Sequence, residues 1–128
     1  MLLLLDTHVL LWALDTPGRL PKAVAEQIAA PETGVYFSAA SIWEIAIKIS
    51  LGRLKFKFSA EEITQGARET GFVELPVSAA HGAKVANLPP HHRDPFDRLL
   101  VAQALLMPAH LLTADSALLP YSELVRLV

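Results

Sequence analysis

Four acidic side chains, Asp6, Glu44, Asp97 and Asp115, each stand where an apolar stretch meets the start of a helical one. Asp6 interrupts "MLLLLDTHVLLWAL", Glu44 sits within "SIWEIAI", Asp97 within "PFDRLLVA", and Asp115 closes "LLTAD". Taken singly, each has a local explanation. An aspartate before a helix is an N-cap worth about 1 kcal/mol. The spacings Ser41 to Glu44 and Asp94 to Asp97 match a capping box, whose third residue reaches back to a backbone N–H. Taken together they demand more. Carboxylates crowded among apolar groups repel one another and lose hydration, which raises their pKa values unless a cation neutralises them. Helix N-termini contribute about 0.3–1 kcal/mol each, so a divalent ion is the stronger remedy. With carboxylate and hydroxyl oxygens as donors, Mg²⁺ or Mn²⁺ is favoured over zinc. One or two such ions can activate a water and stabilise the leaving oxygen of a phosphodiester. The chemistry that the four acids predict is therefore metal-assisted phosphodiester hydrolysis.

That prediction requires elements that bring distant residues together, and the hydrophobic pattern supplies them. Leu2 to Leu5 reads as a strand buried on both faces, a short apolar run ended by a capping residue. A helix follows over 7–14, "DTPGRLP" is a turn, and Pro21 opens a second helix reaching residue 30. "GVYFS" is a second strand, and "SAASIWEIAIKISLG" an amphipathic helix closed by Gly52. "LKFKF" alternates as a short extended piece. Ser59 and Glu62 form a capping box for a helix to about Thr70, and Gly71 leads into the strand "FVELPV". Ser78 opens a helix to residue 87, "LPPHHR" is a loop, and Asp94 with Pro95 starts the helix "FDRLLVAQALLM". "HLLTA" is a fourth strand, "DSALLPY" a turn or helical stub, and "LVRLV" an edge strand.

Strands separated by helices imply an α/β fold, a three-layer α/β/α sandwich around a central, mostly parallel sheet of four or five strands. Helices in right-handed β-α-β units begin near the edge where parallel strands end, which is where open α/β sheets bind their ligands. All four acids are expected at that edge.

Composition narrows the class. A chain of 128 residues is expected to form a single domain over 1–128, large enough to bury a core without staples. Hydrophobic residues make up 52% and the mean hydropathy is positive, which argues against disorder and fits an oligomer surface. The absence of cysteine removes disulfides, thiolate zinc sites and cysteine nucleophiles. The amino-terminal run lacks the positive flank of a secretory signal, and Asp6 and His8 interrupt it too early for a membrane span. A cytoplasmic protein is expected. A net charge of −2 counts mildly against a nucleic-acid partner, although bound cations would offset the acids.

"LLLLDTHVLLWAL", "FSAASIWEIAIKISLGRL", "HRDPFDRLLVAQAL" and "LLTAD" together resemble the PIN-domain family and, within it, the VapC-type toxins of bacterial type II toxin–antitoxin modules. The resemblance covers nearly the whole chain in order and spacing, and "HRDPFDRLLVAQA" is its most specific part. It implies a metal-dependent ribonuclease with a compact α/β/α sandwich, whose acidic positions fall on Asp6, Glu44, Asp97 and Asp115. The last of these varies in the family, so Asp115 would act through water. Thr7, Ser41 and Thr113 match the small hydroxyl positions that flank the acids, and Asp94 reads as a cap. The resemblance further implies RNA as substrate, a homodimer, and a cognate antitoxin that blocks the acidic pocket with an arginine.

Lys48, Arg53, Lys55 and Lys57 form the one dense basic stretch. It reads first as a solvated edge whose lysines discourage strand pairing, and second, for Lys48, Arg53 and Lys55, as RNA phosphate contacts. Arg98 and Arg93 are read as partners of the local aspartates ahead of phosphate clamps. His92 belongs to the "HRDPFDR" stretch and reads as loop packing near the site. Trp12 and Trp43 read as core or dimer contacts. Two rival functions are another α/β phosphotransfer domain and a non-enzymatic module whose acidic pocket docks a basic peptide. An aspartate-nucleophile phosphatase would want a second aspartate at position 8, which is histidine, and a receiver domain would want a late lysine, whereas none follows Lys84. The binding module predicts that Asp97→Asn leaves fold and partner binding intact and removes no nuclease activity.

Overall fold

In the computed structural model, which describes residues 1–54 and 57–128, five strands and six α-helices alternate. The strands are β1 (Leu2–Leu5), β2 (Gly34–Ser38), β3 (Val73–Leu75), β4 (His110–Thr113) and β5 (Val125–Leu127). The helices are α1 (Thr7–Asp15), α2 (Lys22–Ala29), α3 (Ala39–Ser50), α4 (Ala60–Glu69), α5 (Ala79–Val85) and α6 (Pro95–Leu106), with 3-10 turns over Pro17–Arg19 and Ser116–Tyr121. The strands pair in the order β3-β2-β1-β4-β5, and every pairing is parallel. The sheet is thus wholly parallel where a mostly parallel one was expected, because "LVRLV" joins it as a fifth parallel strand at the edge beside β4.

The leucine run explains why β1 lies at the centre. Side chains on a strand alternate between faces, and Leu3 and Leu5 enter one core cluster while Leu4 enters the other. Leu3 and Leu5 pack with Val9, Leu10, Phe37, Ile45 and Ile63, so α1, α3 and α4 cover that face. Leu4 packs with Leu100, Val101, Leu111 and Leu118, so α6 and the Ser116–Tyr121 turn cover the other, with α5 against α6. A strand apolar at every position is the one that can be buried between two helical layers.

Several boundaries are tighter than the sequence suggests. β3 keeps only Val73–Leu75 of "FVELPV", and α5 ends at Val85. Pro21 flanks α2 as its N-cap instead of starting it. Gly52 and Gly71 follow α3 and α4 with φ of 69° and 96°, a left-handed backbone open to glycine. Of "LKFKF", Lys55 and Phe56 lie outside the described residues, and Lys57 and Phe58 form a bend. Among the described residues no helix is long and apolar enough to cross a membrane.

Candidate metal centre

The parallel register of β1 and β4 sets the centre of the site. Leu5 stands opposite Leu112, and the backbone N–H of Asp6 donates to the Leu112 carbonyl at 3.0 Å, which sets Asp6 beside Thr113 at the end of β4. The Asp6 carboxylate caps α1, accepting the Val9 N–H at 2.8 Å. It also accepts from the Thr113 hydroxyl, whose oxygen receives the backbone N–H of Asp115 at 3.0 Å. Asp6 is only 4% exposed. Burial pushes its pKa above the usual carboxylate range, against the opposing pull of Thr113 and of the Val9 and Ala114 N–H groups.

Glu44 arrives from the opposite side. Ser38 caps α3, accepting the Ala40 N–H at 3.0 Å, which puts Glu44 in the second turn and removes the capping box expected with Ser41. Its side chain is instead turned to α1. The Thr7 hydroxyl donates to Glu44 Oε1 at 2.7 Å, and Ser41 Oγ lies 3.0 Å from the same hydroxyl. Lys48, one turn further along α3, forms an ion pair with the other Glu44 oxygen.

Asp97 occupies the first turn of α6. Asp94 caps that helix by accepting the N–H groups of Phe96 at 2.8 Å and Asp97 at 3.3 Å. The Asp97 side chain is therefore free of a capping duty and lines the same cavity as Asp6 and Glu44. Burial, and then the charges of Asp94, Asp6 and Glu44, push its pKa up to about 7, with His92 opposing. Asp115 caps the Ser116–Tyr121 turn through the Ala117 N–H at 2.9 Å. That bond and the neighbouring His92 hold its carboxyl below the usual range.

His92 joins the two halves. Its Nδ1 accepts the Asp94 N–H at 3.0 Å, and its Nε2 lies 2.8 Å from Asp115 Oδ2 and 3.6 Å from Asp97 Oδ2. An accepting Nδ1 assigns the ring proton to Nε2, so His92 donates to Asp115. Its backbone N–H donates to the Tyr121 hydroxyl at 2.9 Å.

Asp6, Glu44, Asp97 and Asp115, with Asp94 and Thr7, line one cavity of about 420 Å³, and His8, Trp12, Lys48, His92 and Ala114 complete its wall. Ser41 and Thr113 stand outside that lining, Ser41 against the Thr7 hydroxyl and Thr113 against Asp6 and the Asp115 N–H. A larger cavity of about 570 Å³ has only apolar and small neutral side chains in its wall, from Ala13 and Pro17 to Thr70 and Phe72, and offers no titratable chemistry. Arg53 is exposed, and Lys55 lies outside the described residues. Among the described residues Arg98 pairs with no aspartate: its terminal nitrogens donate to the carbonyls of Val85, Leu88 and Pro89 and to the Tyr121 hydroxyl. Trp43 is 63% exposed, edge-on to Phe96.

Two cavity residues escape the sequence reading, His8 and Trp12, while His92, read as loop packing near the site, lines the cavity itself. His92 had a readable signal, since a histidine two positions before a capping aspartate can accept that residue's N–H.

The donor set fits a hard divalent cation. Among the described residues, the potential ligand atoms of His92, Asp97 and Asp115 lie within 4.8 Å of one another. The protonated Nε2 withdraws His92 from ligation, leaving carboxylate oxygens, the donors that Mg²⁺ and Mn²⁺ prefer. Burial raises the pKa of Asp6, and burial together with the charges of Asp94, Asp6 and Glu44 raises that of Asp97, and a cation held at these oxygens would offset both.

No curated protein matches the chain by sequence. Among solved structures it is similar to VapBC2 from Rickettsia felis, crystallised with a DNA fragment from their promoter, at a TM-score of 0.69 and 16% identity over 100% of this chain and 98% of that one. At that identity the likeness establishes the fold. Residues 3–123 match the family model of the PIN domain, and the chain belongs to that family.

Proposed function

We propose that this chain, as a single PIN-like domain over 1–128, is a Mg²⁺/Mn²⁺-dependent endoribonuclease, the VapC-type toxin of a type II toxin–antitoxin module. The observation that carries the reading is the convergence of Asp6, Glu44, Asp97 and Asp115 on one cavity from four separate elements. Membership of the PIN family and the fold shared with VapBC2 support it.

Asp6, Asp97 and Glu44 hold the metal, and Asp115 completes the site. A cation bound there supplies the charge that polarises the scissile phosphate and makes water a competent nucleophile near neutral pH. The chain's own residues do the rest. Thr7 and Ser41 fix the Glu44 carboxylate, Thr113 spaces Asp6 from Asp115, and Asp94 holds the first turn of α6 and with it Asp97. Lys48 neutralises Glu44 and stands at the wall as a phosphate contact. The protein works in the cytoplasm as a homodimer, and its cognate antitoxin inserts a cationic side chain among the same carboxylates, in the manner that Lys48 occupies Glu44.

The test is expression of the wild type, Asp6→Ala and Asp97→Ala side by side in a bacterial host without antitoxin, with each purified protein assayed on RNA with Mn²⁺ and with chelator. Growth arrest and chelator-sensitive cleavage by the wild type alone are expected. Equal growth and equal cleavage in all three would refute the proposal.

A further inference from the structure

Carboxylates and a cation can grip a phosphate, but they do nothing to hold a nucleoside. The cavity wall includes a group of a different kind. His8 and Trp12 lie one turn apart on α1, their ring centroids 6.3 Å apart and inclined by 51°. Their neighbours Val9, Leu10 and Leu11 are buried in the core, and Trp12 packs against that core while remaining only partly buried. One part of the indole is anchored and another borders the acidic cavity. The Arg19 guanidinium, exposed on the Pro17–Arg19 turn, sits 4.8 Å from the centre of the Trp12 ring. Cation–π attraction braces the ring at that distance.

We propose that Trp12, braced by Arg19 and flanked by His8, is a stacking platform for one base of a single-stranded RNA whose scissile phosphate lies at the carboxylates. The inference rests on the nuclease reading and adds to it a base-binding subsite. Every base has a π-face, so an indole beside the scission point grips a single strand with little regard to sequence, and a neighbouring guanidinium serves the adjoining phosphate. A base on the ring slides beside Arg19 or displaces it towards that phosphate. Arg19, exposed beside the ring, supplies the positive charge that attracts a phosphodiester there.

Tryptophan occurs only at positions 12 and 43, so Trp43→Phe leaves Trp12 as the sole indole. Adding Asp97→Asn to that protein blocks cleavage during titration. Single-stranded oligoribonucleotides are expected to quench Trp12 fluorescence to saturation. Measured by anisotropy in the Asp97→Asn background, Trp12→Leu should bind the same RNA about 10-fold more weakly, while Trp12→Phe, which keeps a ring, should stay within about 3-fold. With Asp97 intact, both Trp12 variants should bind Mn²⁺ as the wild type does. Unchanged fluorescence with unchanged affinity in Trp12→Leu would overturn the platform, and so would quenching by an oligoarginine peptide but not by RNA. If the parent protein with Asp97 intact cleaves RNA in either case, the nuclease reading survives alone. If it binds RNA with quenching and never cleaves, that reading fails and the platform stands. Should Trp12→Leu fail to fold, the quenching titration of the intact indole still decides.

Discussion

His92 and Asp115, 23 residues apart, meet through a 2.8 Å hydrogen bond from Nε2 to Oδ2, while the other ring nitrogen of His92 accepts the N–H of Asp94. One imidazole thereby ties the cap of α6 to the turn after β4, and so fixes Asp115 in relation to Asp97.

His92→Ala strips an acceptor from the Asp94 N–H and a donor from Asp115, and is expected to lower stability by about 1–2 kcal/mol in urea unfolding. It should also weaken Mn²⁺ binding measured by calorimetry. His92→Asn separates the two effects. A short amide can still accept the Asp94 N–H, as Asx turns do, but does not reach Asp115. Recovered stability with Mn²⁺ affinity still impaired is the expected pattern, and full recovery of both would deny His92 its hold on Asp115.

Asp97 gives the metal-free protein an unusual pH dependence. Its pKa rises from an ordinary 3.8 to about 7 on folding, so between those values the folded state binds more protons than the unfolded. Stability therefore falls as pH rises through that window and levels off above it. A shift of this size corresponds to about 4 kcal/mol, and screening at a partly exposed side chain reduces it to about 1–2 kcal/mol. Chelated wild type should melt lower at pH 8 than at pH 5, and Asp97→Asn should flatten the difference. Mn²⁺ should restore stability at pH 8 and bind progressively tighter up to about pH 7. A metal-free midpoint independent of pH would show that the acids are not crowded as described.

Asp6 has two duties that one atom distinguishes. Asp6→Asn keeps a side-chain oxygen for the Val9 N–H, and hence the cap of α1, while removing the buried charge. Asp6→Ala loses the cap as well, at about 1 kcal/mol. In chelator at pH 8, Asp6→Asn should be at least as stable as the wild type and Asp6→Ala less stable than Asp6→Asn. At 100 times the dissociation constant, Mn²⁺ should stabilise the wild type by about 2.7 kcal/mol and neither variant. An equal response to Mn²⁺ in Asp6→Asn would remove Asp6 from the metal site.

The strands, the helices and the meeting of the four acids were legible because each rests on a local signal with a long reach. Leu3, Leu4 and Leu5 announce a strand with two buried faces, and parallel strands bring their carboxyl ends, with Asp6 and Asp115, to one edge. The hydrogen-bond partners were not legible. Ser41 and Glu44 have the spacing of a capping box, but Ser38 starts the helix three residues earlier and turns Glu44 towards Thr7. Trp12 belongs to an apolar run whose pattern says only that α1 packs somewhere. That one edge of its ring reaches the acidic cavity depends on the direction in which α1 leaves Asp6, a tertiary fact absent from periodicity.

Arg98 carries the sharpest separation of charge from function. It was a candidate RNA contact, yet its two terminal nitrogens already donate to the carbonyls of Val85, Leu88 and Pro89 and to Tyr121, which also receives the His92 N–H. A guanidinium committed in this way staples the segment before α6 to the Ser116–Tyr121 turn. Arg98→Ala is expected to destabilise the fold by about 1–3 kcal/mol, the range for losing hydrogen bonds to a charged group. Its removal should leave the salt dependence of RNA affinity unchanged. That slope reflects how many phosphates the protein neutralises, at roughly 0.7 for each phosphate of a single strand. Arg53→Gln should behave in the opposite way, with an unfolding midpoint near the wild type and a shallower slope, whereas Lys48→Gln, which strands the buried Glu44 carboxylate, should lower both. RNA titrations at a series of salt concentrations in the Asp97→Asn background separate the two classes. A slope reduced by Arg98→Ala would mean that the staple opens to meet RNA.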